Sequence, residues 1–330
     1  MDANERDVNA RTVERFGFGL AALGRPGYIN LGHGNDLRYR YAAESMRDHA
    51  WTVLDAAYTA GIRHVDVARS YGRAEEFVAG WLKDRAIHDM SISSKWGYTY
   101  TADWSISANV HEVKDHTLTT LQRQWAESLA KLGPWLRLYQ VHSATEASGI
   151  LDRVDVLDEL ARLRDEHAIT IGLTVSGPDS RRTLERTLTI ERSGSRLFST
   201  VQATWNVLEP SLSGILRAAH AQGVRVIVKE ALANGRLTDR NSDPGFSVTR
   251  AVLEREAMRL HCTLDQLALA VVLDQPWADR VLSGAATVDQ ISSNIESISV
   301  RLDDEARSAL EDLAESPDQY WRTRSRLTWN

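Results

Sequence analysis

A carboxylate and a phenol occur close together in the segment Val65–Gly72, as Asp66 and Tyr71. An amine and an imidazole follow later in the chain, at Lys95 and His142. A lysine ammonium beside a phenol stabilises the phenolate and lowers the phenol pKa from its usual value of about 10. Tyr71 is therefore predicted to act as a general acid or base near neutral pH. Pairing with Asp66 lets Lys95 stay charged when both side chains are buried.

These four groups are suited to polarising a carbonyl group and protonating its oxygen, with His142 orienting that oxygen through a hydrogen bond. A histidine alone at the end of a strand is more often a surface residue or a satisfied core residue. The combination of all four at successive strand ends favours a catalytic site. Side chains of these types cannot deliver a hydride, so carbonyl reduction at this site requires a cofactor.

Short apolar segments that are typical of buried strands precede these groups and recur along the whole chain. Helical patterns separate nearly all of them. The eight predicted strands are 15–20, 64–68, 91–95, 136–141, 169–174, 199–202, 224–228 and 280–283. Their carboxyl ends carry further polar residues, which include Thr174, Gln202, Lys229 and Ser283.

Regular alternation of strands and helices predicts parallel strands, and eight such units predict an α/β fold of the (β/α)8 TIM barrel type. Because no linker or change of composition interrupts the pattern, we expect a single domain over residues 1–330. A doubly wound open sheet is the alternative. Such a sheet usually has a glycine-rich turn after its first strand, and the segment Gly17–Ala22 lacks the third glycine of that turn.

The composition, with 43% hydrophobic and 25% charged residues in 330, is that of a soluble globular protein. A net charge of −6 argues against nucleic-acid partners and against binding to anionic membranes. The single cysteine, Cys262, excludes an intrachain disulfide and a zinc cluster. The segment Met1–Arg15 lacks the apolar core of a secretory signal, and no apolar run approaches the roughly 18 residues of a membrane span. We therefore expect a cytoplasmic protein without a bound metal.

The surroundings of the four groups resemble those of the aldo-keto reductase superfamily, over about Arg15 to Ile298. The matching segments, in order, are Gly61–Asp66, Ser70–Glu75, Ser93–Lys95 and Leu138–Ser143. The resemblance implies a (β/α)8 barrel that uses a nicotinamide cofactor and a tetrad of Asp, Tyr, Lys and His. It implies that Tyr71 is the general acid in carbonyl reduction. By the same resemblance Lys95 and Asp66 tune its acidity, and His142 positions the substrate.

The resemblance also implies cofactor contacts. Thr174 keeps the hydroxyl of a family segment that binds the nicotinamide carboxamide, although Val175 replaces the neighbouring amide. Gln202 matches the family glutamine on the same carboxamide. Lys229 stands where many members stack an aromatic residue on the nicotinamide, so the stacking must come from elsewhere or be absent, with Trp205 as a candidate substitute.

The segment Leu282–Asn294 resembles the part of the family that binds the adenosine phosphate. A strand that ends in small residues before a helix suits phosphate binding by backbone N–H groups. Ser283, Gly284, Gln290 and Asn294 are the implied contacts. Many members carry Lys and Arg here to clamp the 2′-phosphate, whereas this chain has Gly284 and Gln290. NADP(H) is the cofactor that the resemblance implies first, and NAD(H) stays open.

Loops at the carboxyl ends of the strands are expected to select the substrate. Trp96 and Trp205 are predicted to line its pocket, which would favour an apolar, aromatic or sugar-face substrate. Further candidates are loop residues 28–33 and 96–104 and, in the tail, Trp321 and Trp329. The tail also carries three arginines, Arg322, Arg324 and Arg326. They could attract an anionic group of a substrate, but we expect them to form a solvated basic end.

Three functions remain open from the sequence. The first is NADP(H)-dependent reduction of an aldehyde or ketone to an alcohol. The second is an NAD-dependent sugar or alcohol dehydrogenase that uses the same site. The third is a nicotinamide-binding regulatory protein with little turnover, which the departures at Val175 and Lys229 support to some degree. A small carbonyl compound is the expected partner, and the oligomeric state is left open.

Overall fold

A closed barrel of eight parallel strands forms the centre of the molecule in the computed structural model, which describes residues 13–330. Each strand pairs with its neighbours in sequence, and the last strand pairs with the first. The strands are β1 Phe16–Gly19, β2 His64–Asp66, β3 Ser91–Trp96, β4 Leu136–Ala144, β5 Thr170–Val175, β6 Thr200–Thr204, β7 Arg225–Lys229 and β8 Arg280–Ser283. The predicted (β/α)8 barrel is confirmed, and the open-sheet alternative is wrong.

Helices follow the strands as the alternation predicts. They are α1 Ala43–Thr59, α2 Ala74–Asp84, α3 Leu118–Leu132, α4 Val154–His167, α5 Ser180–Thr187, α6 Ser213–Ala221, α7 Ser247–Arg259, α8 Leu264–Leu273, α9 Val288–Glu296, α10 Asp304–Glu311 and α11 Pro317–Ser325. Single helical turns occur at His33–Asp36, Gly133–Trp135, Glu146–Ser148, Ile150–Asp152, Ala233–Gly235, Pro244–Phe246 and Ser297–Ser299. Within residues 13–330, no helix is both long and apolar enough to cross a membrane.

Local sequence signals account for the ends of several helices. The side chain of Thr117 accepts a hydrogen bond from the backbone N–H of Thr120 at the start of α3. Thr287 caps α9 in the same way, with Gln290 as the donor. Such caps satisfy backbone donors that have no partner inside the helix. Gly61 follows α1 with a φ of 102°, a conformation that glycine adopts at little cost.

The register of the parallel strands brings the predicted catalytic positions to one rim of the barrel. Gly19 of β1 lies opposite Asp66, and Asp66 lies opposite Ser93 of β3. Lys95 in turn lies opposite Gln140 of β4. Because all eight strands run in the same direction, their carboxyl ends meet at this rim, where barrel enzymes place their chemistry.

The segment after β3, for which the sequence predicts a loop, contains an antiparallel hairpin. Strand Tyr98–Tyr100 pairs with strand Glu112–Lys114. The hairpin lies against the end of β4, where Nζ of Lys114 donates a hydrogen bond to the carbonyl oxygen of Ser143 at 2.9 Å. A second short hairpin, Glu191–Arg192 with Ser195–Arg196, precedes β6. The first hairpin therefore forms one wall of the barrel mouth.

The segment after α11 returns to the loop that follows β1. Asn330 and Tyr28 exchange two backbone hydrogen bonds of 3.1 and 3.2 Å. The side-chain amide of Asn330 also donates to the carbonyl oxygen of Asn30 at 3.1 Å. The ring of Trp329 stacks on that of His111, with centroids 4.0 Å apart. These contacts place the tail beside the barrel mouth.

Candidate active site

Asp66 and Lys95 form an ion pair at the mouth of the barrel, and both side chains are almost completely buried. Nζ of Lys95 donates to Oδ2 of Asp66 and to the carbonyl oxygen of Val67, the latter at 3.0 Å. Oδ1 of Asp66 accepts a hydrogen bond from Oγ of Ser93 at 2.6 Å. A buried ion pair is tolerated when further hydrogen bonds satisfy its free protons and lone pairs, and this pair meets that condition.

Two glutamine amides complete the surroundings of the Asp66 carboxylate. Nε2 of Gln202 donates to Oδ1 of Asp66 at 3.2 Å, and Nε2 of Gln140 donates to the same oxygen at 3.3 Å. Both amides come from strands on the far side of β3, so the network spans the barrel interior. Gln202, which is predicted to bind the cofactor, therefore also holds the carboxylate in place.

Tyr71 lies in the turn between β2 and α2, and its hydroxyl oxygen accepts a hydrogen bond from Nζ of Lys95 at 3.3 Å. The pKa of Tyr71 is raised well above its usual value because the phenol is desolvated and because Asp66 is close, whereas Arg25 lowers it. The net lowering that the sequence predicts is not found, because burial and the charge of Asp66 dominate. The phenol stays protonated at neutral pH, as a general acid for carbonyl reduction must.

His142 lies near the end of β4 and faces the same space. Burial, followed by the charges of Lys95 and Lys229, lowers the pKa of His142 well below its usual value, so the imidazole is neutral at pH 7. Its ring meets that of Tyr71 edge to face, with centroids 5.6 Å apart. The ring of Tyr98 packs against it in a similar way at 5.0 Å. The structure thus brings all four predicted catalytic residues together.

A cavity of about 660 Å³ opens from Tyr71 and His142 and runs to the start of α9. This volume lies within the usual range for ligand sites. The cavity wall includes every residue that was predicted to bind the cofactor, namely Thr174, Gln202, Lys229, Ser283, Gly284, Gln290 and Asn294. One continuous space therefore connects the catalytic groups with the predicted phosphate segment.

The segment between β8 and α9 has the features of a phosphate-binding loop. A Cβ atom at Gly284 would meet nothing within 4 Å, so the backbone there is open to a ligand. Oγ of Ser283 donates to Oδ1 of Asn294 at 2.7 Å, and Oε1 of Gln290 accepts from the backbone N–H of Ala286 at 2.7 Å. These bonds hold the loop open at the N-terminus of α9, a favourable place for an anion. The residues present therefore fit a cofactor that carries phosphate.

Carboxylates that no sequence motif indicated lie at this end of the cavity. Asp36 binds both terminal nitrogens of Arg240 at 2.6 Å and accepts a hydrogen bond from Nε2 of Gln290 at 3.1 Å. Asp265 accepts from Oγ of Ser293 at 2.7 Å. The positive charge of Arg240 is therefore already neutralised by Asp36.

Residues 17–315 match the family model described as the Aldo/keto reductase family. The chain belongs to the aldo-keto reductase family. It is therefore an oxidoreductase that acts on carbonyl compounds. An aldo-keto reductase of Strobilurus tenacellus is 23% identical to this chain, and the match covers 96% of this chain and 94% of that relative. An NADH-specific methylglyoxal reductase of Escherichia coli (strain K12) is 24% identical to this chain, and the match covers 80% of this chain and 87% of that protein.

A solved structure supports the fold of this aldo-keto reductase. The holo form of an aldo-keto reductase from Bacillus halodurans matches it with a TM-score of 0.69 and 21% sequence identity. The match covers 93% of this chain and 95% of that structure. At this level of identity the likeness concerns the barrel fold alone.

Two predicted substrate contacts of this aldo-keto reductase are wrong. Trp96 is fully buried in the main hydrophobic core, with its ring 5.6 Å from that of His116. Successive residues of a strand point to opposite faces, so Lys95 points into the barrel and Trp96 points away from it. Trp205 is also buried and packs its ring against Trp277 at 5.3 Å, so it cannot replace the stacking aromatic residue.

Other aromatic rings line the catalytic end of the cavity instead. Tyr28, Tyr98 and Trp329 lie on its wall, and all three fall in the loops or tail that the sequence singled out. The ring of Trp321 lies 5.9 Å from Nζ of Lys229. The end of the cavity near Tyr71 is therefore lined by tyrosines and one tail tryptophan.

Lys229 and Glu230 lie close together, but the main ionic partner of Glu230 is Arg324. Nζ of Lys229 donates to Oγ1 of Thr204 at 3.0 Å and lies 3.8 Å from Oε1 of Glu230. The carboxylate of Glu230 instead receives the guanidinium of Arg324, with Nε at 3.0 and 2.9 Å from its two oxygens. Burial of Lys229 lowers its pKa to about 8.

The tail arginines differ from one another. Arg322 and Arg326 are exposed, as expected. Arg324 lines the cavity and is paired with Glu230, so the expectation of a solvated side chain is wrong at this position. These two residues are 94 positions apart in the chain, and no local pattern indicates their contact.

Proposed function

We propose that this protein reduces an aldehyde or ketone to the alcohol with a nicotinamide cofactor, and that Tyr71 is the general acid. The observation that carries the proposal is the hydrogen bond from Lys95 to the Tyr71 hydroxyl, beside the neutral ring of His142. All of these groups face one cavity or touch a residue that does. The cofactor supplies the hydride when it is bound.

Each catalytic residue has a separate task in this proposal. Tyr71 donates its proton to the oxygen that becomes the alcohol, and Lys95 stabilises the phenolate that is left. Asp66 keeps Lys95 charged and in position through their ion pair. His142 directs the carbonyl oxygen toward the phenol through a hydrogen bond from its ring.

Cofactor binding is proposed to use both ends of the cavity. Thr174, Gln202 and Lys229 would hold the nicotinamide end. Ser283, Gly284, Gln290 and Asn294 would form the phosphate and adenosine end. The open backbone at Gly284 supports this placement, because a phosphate needs close approach to backbone N–H groups.

NAD(H) is a second candidate for the cofactor beside NADP(H), and the charges at the adenosine end favour it. Asp36, Asp265 and Asp289 line this end, and Arg240 is already bound by Asp36. A 2′-phosphate brought here would meet these carboxylates and an Arg240 guanidinium that Asp36 already neutralises, which costs electrostatic free energy. The same argument favours the NAD-dependent alcohol or sugar dehydrogenase as the alternative reaction.

The test is cofactor oxidation at 340 nm with a panel of aldehydes and ketones, run separately with NADPH and NADH. A carbonyl compound that is reduced with kcat/KM of about 10⁴ M⁻¹s⁻¹ or more would support an enzyme of ordinary efficiency. Quenching of tryptophan fluorescence measures the affinity for each cofactor without turnover. Tight cofactor binding with no turnover of any carbonyl or alcohol would favour the regulatory alternative instead.

The preference between NADPH and NADH can be tested with one variant and a matched control. Asp36→Asn removes the charge that holds Arg240, so the affinity for NADPH should rise relative to NADH. Glu185→Gln removes an exposed carboxylate of α5 and should leave that ratio unchanged. A wild-type preference for NADPH of tenfold or more, by fluorescence titration, would reject the NAD(H) candidate.

A further inference from the structure

The guanidinium of Arg25 lies among three aromatic rings at the catalytic end of the cavity. Its Cζ atom is 5.4 Å from the ring centroid of Tyr71, 5.6 Å from that of Tyr28 and 4.8 Å from that of Trp329. The side chain is only 3% exposed. Arginine at such distances is attracted to the faces of aromatic rings, more strongly when water is excluded. Arg25 therefore contacts the proposed general acid directly.

Arg25 also fixes the turn that carries the phenol. One terminal nitrogen donates to the carbonyl oxygen of Ser70 at 2.9 Å, and the backbone N–H of Arg73 donates to the carbonyl oxygen of Gly24 at 2.8 Å. A Cβ atom at Gly24 would collide with the carbonyl oxygen of Tyr71. Glycine at this position lets the loop after β1 and the turn after β2 touch along their backbones.

Glu112, from the hairpin after β3, is the ionic partner of Arg25. Nη1 of Arg25 lies 2.8 Å from Oε2 of Glu112. The pair joins the hairpin to the loop after β1, and both residues line the cavity beside Tyr71. A cation and an anion thus stand together near one phenol.

We infer that the Arg25–Glu112 ion pair positions Tyr71 and sets its acidity, an inference that rests on the proposed role of Tyr71. Both are positioning residues, because each acts through the phenol. Arg25 holds the turn and supplies positive charge at the ring. Glu112 orients Arg25 and offsets part of that charge.

Other charged groups face the phenol from neighbouring elements, and most of them are paired. They are Asp66 of β2 with Lys95 of β3, and Glu230 after β7 with Arg324 of α11, beside the neutral His142 of β4. Lys229 of β7, 3.8 Å from Glu230, and the phenols of Tyr28 and Tyr98 line the same cavity. The positive charge of Arg25 lowers the pKa of Tyr71, and the negative charge of Glu112 raises it. The two members of the pair therefore have opposite effects on the same phenol.

The opposite effects of Arg25 and Glu112 on the pKa of Tyr71 can be tested with single and double variants. The pH dependence of kcat/KM is measured in both reaction directions for wild type, Arg25→Gln, Glu112→Gln and the double variant. The part of each pH profile to compare is the limb that disappears in Tyr71→Phe, because that limb reports the titration of Tyr71. Arg25→Gln should move this limb to higher pH and Glu112→Gln should move it to lower pH, each by about one unit. The double variant removes both charges, so its limb should return close to that of wild type.

Arg25→Lys separates charge from geometry. It keeps the positive charge, so the limb should stay near its wild-type position. The compact lysine ammonium lacks the planar fork of the guanidinium. It therefore cannot bind the Ser70 carbonyl oxygen and Glu112 and also stack on the aromatic rings, so kcat should fall at least tenfold. Arg322→Gln, an exposed change on α11, is the control and should alter neither quantity.

Limbs that do not move, or that move in the same direction in both single variants, would overturn the inference while leaving the proposed reaction intact. A wild-type protein without any turnover would remove both together. If Arg25→Gln unfolds, as thermal melting would show, then Glu112→Gln alone still decides the sign. A pH limb that does not move in Glu112→Gln would equally reject the inference.

Discussion

Nζ of Lys95 joins the hydroxyl of Tyr71, 3.3 Å away, to the carboxylate of Asp66. One ammonium therefore connects the end of β2, the interior of β3 and the turn that carries the phenol. Its three hydrogen-bond donors are used on Asp66, on Tyr71 and on the carbonyl oxygen of Val67. The position of the proposed proton donor, Tyr71, thus depends on the buried Asp66–Lys95 ion pair. The phenol and the ion pair can be tested separately.

Replacing Tyr71 by Phe removes the proposed proton donor and keeps the ring. We expect kcat to fall by about 10²- to 10⁴-fold, since this is the usual contribution of a general acid. The cofactor affinity by fluorescence titration should be unchanged. Tyr58→Phe is the control, because the Tyr58 hydroxyl binds Asp89 at the surface. An equal rate in Tyr71→Phe and wild type would refute the role of this phenol.

Replacing Lys95 by Met leaves the Asp66 carboxylate buried without its cation. The free energy of unfolding in urea should fall by about 3–5 kcal/mol, the usual cost of breaking a buried ion pair. The double variant Asp66→Asn with Lys95→Met removes both charges, so it should recover much of this stability. Turnover should remain low in the double variant. Recovery of turnover together with stability would show that the pair has a structural role alone.

The contact between Glu230 and Arg324 predicts a dependence of stability on pH. Burial disfavours the Glu230 carboxylate, but the charges of Arg324 and Lys229 outweigh this and lower its pKa to about 2. The unfolded-state value is about 4.3, so the linkage stabilises the fold by about 3 kcal/mol above that pH. This stability should be lost as the pH falls from about 4.3 toward 2.

The measurement for this contact is urea unfolding of wild type and Glu230→Gln as a function of pH. The difference between their unfolding free energies should narrow steadily below pH 4.3, because the wild-type carboxylate then takes up a proton. Glu185→Gln, at an exposed position of α5, should show no such narrowing. A difference that stays constant down to pH 2.5 would contradict the pairing of Glu230 with Arg324.

Lys229 should be unusually reactive toward small electrophiles. Its pKa of about 8, caused mainly by burial, leaves a large fraction of free amine at pH 8. An ordinary exposed lysine, with a pKa near 10.4, has under about 1% free amine at that pH. Cyanate at pH 8 should therefore carbamylate Lys229 at least about tenfold faster than the exposed Lys83, as peptide mass spectrometry would measure. Faster labelling of Lys83 would show that Lys229 keeps an ordinary pKa or is inaccessible.

Local sequence patterns were sufficient to predict the barrel and the common location of the four proposed catalytic residues. A strand is recognised by a short apolar run and a helix by its periodicity, and both signals lie within a few residues. Parallel strands then bring their carboxyl ends to one rim whatever the details of packing. Asp66, Lys95 and His142 could thus be placed at one mouth before any side-chain contact was known.

The same reasoning failed for side chains whose direction depends on packing. Trp96 belongs to β3 and, next to Lys95, points away from the cavity, whereas Trp329 reaches the cavity from the tail. Tryptophan is favoured both in cores and at binding sites, so its type alone does not distinguish the two. The hairpin after β3 was missed because its short strands give little periodicity.

By itself the sequence determined which residue types stand at the strand ends and in which order, since adjacent residues carry that information. Tertiary structure alone decided which charges meet, as in Arg25 with Glu112 and Arg324 with Glu230. These partners are far apart in the chain, so their contact depends on how loops and tail fold back over the barrel. Tertiary structure also decided the direction of the Tyr71 pKa shift, because the phenol is buried beside other charges only once the chain is packed.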